Sequence, residues 1–123
     1  MVSGESLATL LGRLQVAGNI DLAAVASSDG FLLESAQVAG IDAEEIITVA
    51  TNGLMVAMAI GREIARGAID TAIFEYSDGT VMLAALDEEL VLVLLAGPGT
   101  NLGRLRLFAH RYRDELIAAA SVK

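Results

Sequence analysis

The sequence has no cysteine, one histidine and one proline, and only 8 of its 123 residues are lysine or arginine. Without cysteine there is no disulfide framework, no thiolate metal site and no thiol nucleophile. That fits a reducing compartment. His110 is the single imidazole, so a Ser-His-Asp triad has one candidate base at most and a Cys-His pair cannot be built. Sixteen acidic residues bring the formal net charge to −8. Nucleic acid and anionic lipid both demand a basic field, so neither is expected as the main partner. An acidic surface instead favours solubility and partners with basic patches. No basic segment leads into a signal-like apolar core, and secretion is not expected.

Apolar side chains are what the sequence has in excess. They make up 54% of it. A chain of this length suits one domain, here 1–123, which buries about two thirds of its unfolded surface. That leaves more apolar side chains than a small monomer can easily hide. The reading is a cytoplasmic, oligomeric domain.

The order of elements follows from periodicity and turn chemistry. In "ESLATLLGRLQVAG" (5–18), Leu7, Leu10, Leu11 and Leu14 stand at helical spacing, and Gly18-Asn19 stops the helix. "DLAAVASSDGFLLESAQ" (21–37) breaks around Asp29-Gly30 into two strands. A second helix opens at Asp42, with Glu45 three residues on as in a capping box, and carries Arg62 and Arg66 near its far end. Then come "IDTAIFEYS", "TVMLAAL" and "LVLVLLA", joined by Asp78-Gly79 and by Asp87-Glu88-Glu89. Pro98 and its flanking glycines end the last strand, Thr100 or Asn101 caps a final helix, and that helix runs over about 101–120.

Polarity orders the strands. "LVLVLLA" has no polar side chain, so both its faces are covered and it is central. Glu34, Ser35 and Gln37 mark the second strand as an edge; Asp70, Glu75 and Ser77 mark the third likewise. Three hairpins then give a five-stranded antiparallel sheet of order 2-1-5-4-3. The fold class is α+β, a sandwich with the long helix on one sheet face and two helices on the other. The third strand, with Ile73, Phe74 and Tyr76, is an unprotected edge, which its own copy could pair.

"ITVATNGLMVAMAIG" (47–61) is apolar over far more than one side. Ala43, Ile47, Ala50, Leu54, Met58, Gly61 and Ala65 fall on the side given to the sheet. Ile46, Val49, Gly53, Val56, Ala57, Ile60 and Ile64 widen the apolar arc to roughly 200°, about twice what a core-facing stripe requires. Gly53, Ala57 and Gly61, at four-residue intervals, would let another backbone come close. The excess arc reads as a seam with a twin subunit. Thr48, Thr51 and Asn52 interrupt the stretch, and it is read as too short to span a bilayer.

"AAVASSDGFLLESA", the long small-residue-rich helix and "GTNLGRLRLFAHRYRDEL" together resemble the roadblock family. That family includes dynein light chains, bacterial regulators of Ras-like GTPases and GTPase scaffolds on lysosomal membranes. The resemblance covers essentially the whole chain, and its motifs are loose apolar patterns. It implies a roadblock/profilin-like fold and a homodimer in which second helices pack together and third strands pair into one ten-stranded sheet. The interface would then hold Val49, Gly53, Val56, Ala57, Ile60 and Ile64 with Thr71, Ile73 and Glu75. The resemblance also implies that the paired helices form a platform for a Ras-like GTPase, with Thr48, Asn52, Met55, Ala59 and Arg62 as the partner-binding residues.

No catalytic, cofactor or metal site is expected. His110 reads as a solvated residue on the outer flank of the last helix. Asp87-Glu88-Glu89 is an acidic turn without the ligand spacing of a calcium loop. "GPGTNLG" has the position of a phosphate loop but lacks its lysine. Residues 104–113 hold Arg104, Arg106, Arg111 and Arg113 and no acid. They are either a solvated face or a contact for an acidic partner or phosphate. The leading function is a non-catalytic regulator, GTPase activator or scaffold for a Ras-like GTPase. The alternative is a structural homodimeric adaptor docking on a motor or membrane-associated complex. A small-ligand sensor is a third, weaker reading without a convergent polar pocket behind it.

Overall fold

Ser6 and Asp42 each place a side-chain oxygen against an orphaned helix N–H, accepting from the amides of Thr9 and Glu45 at 3.1 and 3.2 Å. They open α1 (Leu7–Gly18) and α2 (Ala43–Glu63). The computed structural model describes residues 5–121; residues 1–4 and 122–123 of the expected domain lie outside the described residues. Between and after these helices run β1 (Leu22–Ser27), β2 (Leu32–Gln37), β3 (Thr71–Tyr76), β4 (Gly79–Ala85), β5 (Leu90–Ala96) and α3 (Leu102–Ser121). The sheet order is β2-β1-β5-β4-β3 and every pair is antiparallel, as the strand polarity required.

The period of two along β5 divides the core. Leu92, Leu94 and Ala96 point to one face, where they meet Leu10, Leu11 and Leu14 of α1 and Leu105, Ala109 and Leu116 of α3. Val91 and Val93 point to the other, with Ala43, Ile47 and Leu54 of α2. Each fully buried large side chain is worth about 1.5–3 kcal/mol, so β5 serves both halves of the core. Asn19 stops α1 in the left-handed conformation, φ 52°, which its short polar side chain tolerates.

Both sheet edges are open but unlike. On β2 the register with β1 shifts between Val25 and Ala26, and Leu33 has no opposite residue, which is a β-bulge. β3 pairs with β4 residue for residue from Thr71 to Tyr76 without interruption.

Local expectations change at three places. α2 ends at Glu63 rather than continuing to Arg66: Ile64 is its C-cap and Ala65 follows at φ 55°. The sheet-facing row of α2 is Ala43, Ile47, Thr51 and Leu54, whereas Met58 is exposed and Ala65 lies beyond the helix. Thr51 is buried at no cost in hydrogen bonds because its hydroxyl donates to the Ile47 carbonyl at 2.8 Å. The second hairpin turns at Ser77 and Asp78, and Gly79 is already the first residue of β4, opposite Tyr76. A Cβ on Gly79 would lie 2.8 Å from the Ala96 carbonyl oxygen, so this glycine provides room between strands rather than turn geometry.

Candidate interaction surface on the long helix

α2 rests on the sheet by one row and leaves a wide apolar face in solvent. Val49 is 67% exposed, Val56 61%, Ile60 55% and Met55 55%. Large side chains this exposed on one docked helix exceed the scattered apolar residues of an ordinary surface. Helix α2 is also 21 residues long, and its most apolar window has mean hydropathy 1.4, so by length and composition alone it could cross a membrane. The stretch 47–61 alone falls short of that length; the helix as formed reaches it. Within the fold, its Ala43–Ile47–Thr51–Leu54 row is seated on the sheet.

The residues expected at a twin interface divide into three groups. Val49, Val56 and Ile60 are exposed along α2, and Ala57 is half-buried beside them. Ile64 is exposed too, but as the cap rather than on the helix. Gly53 is occupied from within: a Cβ there would sit 3.3 Å from Phe74 Cζ. A Cβ on Gly61 would similarly lie 3.1 Å from the Gly67 carbonyl oxygen, where the chain folds back after the helix. Two of the three small residues expected to admit another backbone therefore make room for this chain itself. On β3, Thr71 and Ile73 are half-buried and Glu75 is exposed. Ile73 packs into the α1/α3 side of the core, while Ala72 and Phe74 pack on the α2 side.

That alternation brings Phe74 and Tyr76, not Ile73, beside the exposed helix face. A groove of about 420 Å³ runs between α2 and the β3–β4 hairpin, lined by Ile46, Val49, Gly53, Phe74, Tyr76 and Val81 among others. Ile46, Phe74, Tyr76 and Val81 lie outside the sequence-based site, although the sequence marks Phe74 and Tyr76 as part of the unprotected edge. The two-residue spacing of Phe74 and Tyr76 on a strand was the available signal, since it puts them on one face.

The expected partner-binding row stands together. Thr48, Asn52, Met55, Ala59 and Arg62 are all exposed. The Thr48 hydroxyl is turned back onto its own helix, donating to the Glu44 carbonyl at 3.0 Å. Met58 and Arg62 also line a cavity of about 340 Å³ with Asp87, Glu88 and Val91 at the far end of the helix.

Other polar candidates have local roles. Asp87 accepts from the amides of Glu89 and Leu90, each at 2.8 Å, and so holds its own turn. In "GPGTN", Asn101 accepts from the Arg104 amide at 3.0 Å and is the cap of α3; Thr100 donates to the Gly97 carbonyl at 2.7 Å. Two of the four clustered arginines are tethered. Arg104 donates to the Ala17 carbonyl at 3.1 Å and lies 5.3 Å from the Phe108 ring centre, and Arg113 donates to the Leu86 carbonyl at 2.8 Å. His110 is exposed, as expected.

A five-stranded antiparallel sheet of this order, one long helix on one face and two on the other, defines the class. The sequence model of the Roadblock/LC7 domain matches residues 7–96, and the chain belongs to that family. Among solved structures it is similar to Myxococcus xanthus MglB, with TM-score 0.83, 19% identity, and coverage of 91% of this chain and 92% of that one. A Roadblock/LC7 domain from Streptomyces avermitilis superposes with TM-score 0.78 at 16% identity over 92% of this chain and 99% of that one. Schizosaccharomyces pombe profilin shares the architecture at TM-score 0.63 and 16% identity, covering 92% and 98%. No curated protein sequence matches.

Proposed function

We propose that this chain is a non-catalytic, cytoplasmic homodimer that regulates or co-regulates a Ras-like small GTPase. Membership of the Roadblock/LC7 family supports the reading. The observation that carries it is the outer face of α2, where Val49, Met55, Val56 and Ile60 remain exposed although the helix is docked. Burying such side chains against a second protein releases about 25 cal/mol per Å² of apolar area.

The face has room for two tasks. Val49, Val56 and Ile60, with the groove beside Phe74 and Tyr76, form the twin seam. Thr48, Asn52, Met55, Ala59 and Arg62 lie on the neighbouring flank and meet the GTPase. None of them is a histidine, cysteine or carboxylate, and the one hydroxyl, on Thr48, is bonded to its own helix, so the partner's own chemistry is what changes. Arg62 is rooted in the last turn of a helix, whereas an inserted arginine needs a projecting, mobile support. Stimulation of hydrolysis would work by reshaping the GTPase switch loops.

The test has two parts. Light scattering at micromolar concentration should give twice the chain mass; a monodisperse monomer would end the homodimer reading. Capture of Ras-like GTPases encoded beside this chain's gene, loaded with GDP or a non-hydrolysable GTP analogue, should depend on the nucleotide. Capture indifferent to nucleotide would make the protein a structural adaptor instead.

A further inference from the structure

Behind β3, on the sheet face away from α2, a pocket of about 230 Å³ is lined by Asp70, Thr71, Arg106, His110 and Arg113 among others. Arg113 is committed to the Leu86 carbonyl. Among the described residues, the side chains of Asp70, Arg106 and His110 make no hydrogen bond or ion pair, although Arg106 and His110 stand one helical turn apart on α3. The recess holds two arginines against the one carboxylate of Asp70, and Arg106 stands in it without a partner.

The single charged side chain of β3 is Glu75, exposed and likewise without a cation. It shares its sheet face with Thr71 and Ile73. A two-fold axis normal to a sheet preserves its faces, and opposite residues of an antiparallel pair point the same way. Two β3 strands must therefore pair with one residue opposite itself. Centring on Phe74 would set Glu75 against the partner's Ile73, a charge beside an apolar side chain. Centring on Ile73 sets Glu75 against the partner's Thr71, which lines the basic recess, at the about 5 Å spacing of cross-strand neighbours.

We infer that in the homodimer, on which this rests, Glu75 of each chain closes the other chain's α3 recess and pairs with Arg106 there, fixing the β3 register at Ile73. Each dimer then carries two reciprocal Glu75–Arg106 bridges at the ends of the shared ladder. Asp70 lines the same recess as a second carboxylate, and His110 stands beside Arg106 as a further polar group.

Charge inversion tests this. E75R places two like-charged contacts against Arg106, and R106E places two against Glu75, so each variant alone should dimerise about tenfold more weakly than the native chain. Mixed together, they restore both bridges. At one end the two substituted side chains face each other with their charges exchanged, and at the other the native Glu75 faces the native Arg106. Native mass spectrometry and sedimentation equilibrium should show a heterodimer within about threefold of native affinity. Both sites are exposed, and circular dichroism melts will confirm that each variant folds; E75Q and R106Q, which remove charge without inverting it, should weaken the dimer a few-fold. Single variants that dimerise normally would overturn the bridge, as would weakened variants that fail to rescue one another. A native chain that is itself monomeric would instead remove the homodimer beneath it.

Discussion

Gly53 of α2 lies against the ring of Phe74 on β3: a methyl group at position 53 would be 3.3 Å from Phe74 Cζ. The absent side chain lets the edge strand approach the helix and sets the floor of the groove beside it. The half-buried ring lines that groove, which leaves it space to retreat by a few tenths of an ångström. Gly53→Ala gains about 1 kcal/mol of helix propensity and gives part of it back in displacing the ring. Urea unfolding at fixed protein concentration should show a net stabilisation of roughly 0.5 kcal/mol, together with weaker self-association. A loss above about 1 kcal/mol would mean the ring is immovable.

Gly79→Ala should behave oppositely. Its Cβ would meet the Ala96 carbonyl oxygen at 2.8 Å, and that oxygen belongs to the backbone of the central strand. Neither partner can move without breaking the β4–β5 ladder. The expected cost is about 2–3 kcal/mol, read as a lower urea midpoint with unchanged slope.

Ala65 adopts φ 55° immediately after the cap of α2. A Cβ in the left-handed region is strained, and glycine is the usual residue there. Ala65→Gly should stabilise the fold by about 0.5–1 kcal/mol after allowing for the extra freedom of the unfolded chain. No change in melting temperature would show that neighbouring contacts already relieve the strain.

Met55→Arg and Ala59→Arg probe the proposed platform. Both positions are exposed on the flank away from the Val49–Val56–Ile60 strip, so folding and dimer mass should be unchanged. GTPase capture should fall at least about tenfold, since an unpaired charge would be forced into an apolar contact. Retained capture would move the GTPase to another surface.

The sheet was legible in the sequence because its signals were strong and local. An all-apolar run at 90–96 had to be central, and polar residues on β2 and β3 had to be edges. The cap at Asp42 was legible because a side-chain oxygen before a periodic run has one efficient use; at α3 the same signal left Thr100 and Asn101 both open, and the cap is Asn101. Failures came where one residue type serves two physical purposes. Gly79 looked like a turn glycine but clears space for Ala96, and Gly53 and Gly61, read only as an opening for a twin, also make room for Phe74 and for the chain after the helix. Thr51 looked like an interruption of the apolar face, yet a threonine that bonds its own helix carbonyl can be buried with its hydroxyl satisfied. The tethers of Arg104 to the Ala17 carbonyl and of Arg113 to the Leu86 carbonyl were beyond reach, since contacts 87 and 27 residues apart leave no trace in local pattern.

The bulge at Leu33 bears on how far the protein can polymerise. A strand ladder that could accept neighbours on both sides would grow without limit, as fibrils do. Here one rim is straight and the other is kinked, so joining two straight rims leaves only kinked ones outside. In the proposed β3–β3 dimer, growth by strand addition would therefore terminate after a single step, which would keep a chain this rich in apolar residues from running on into an endless ribbon.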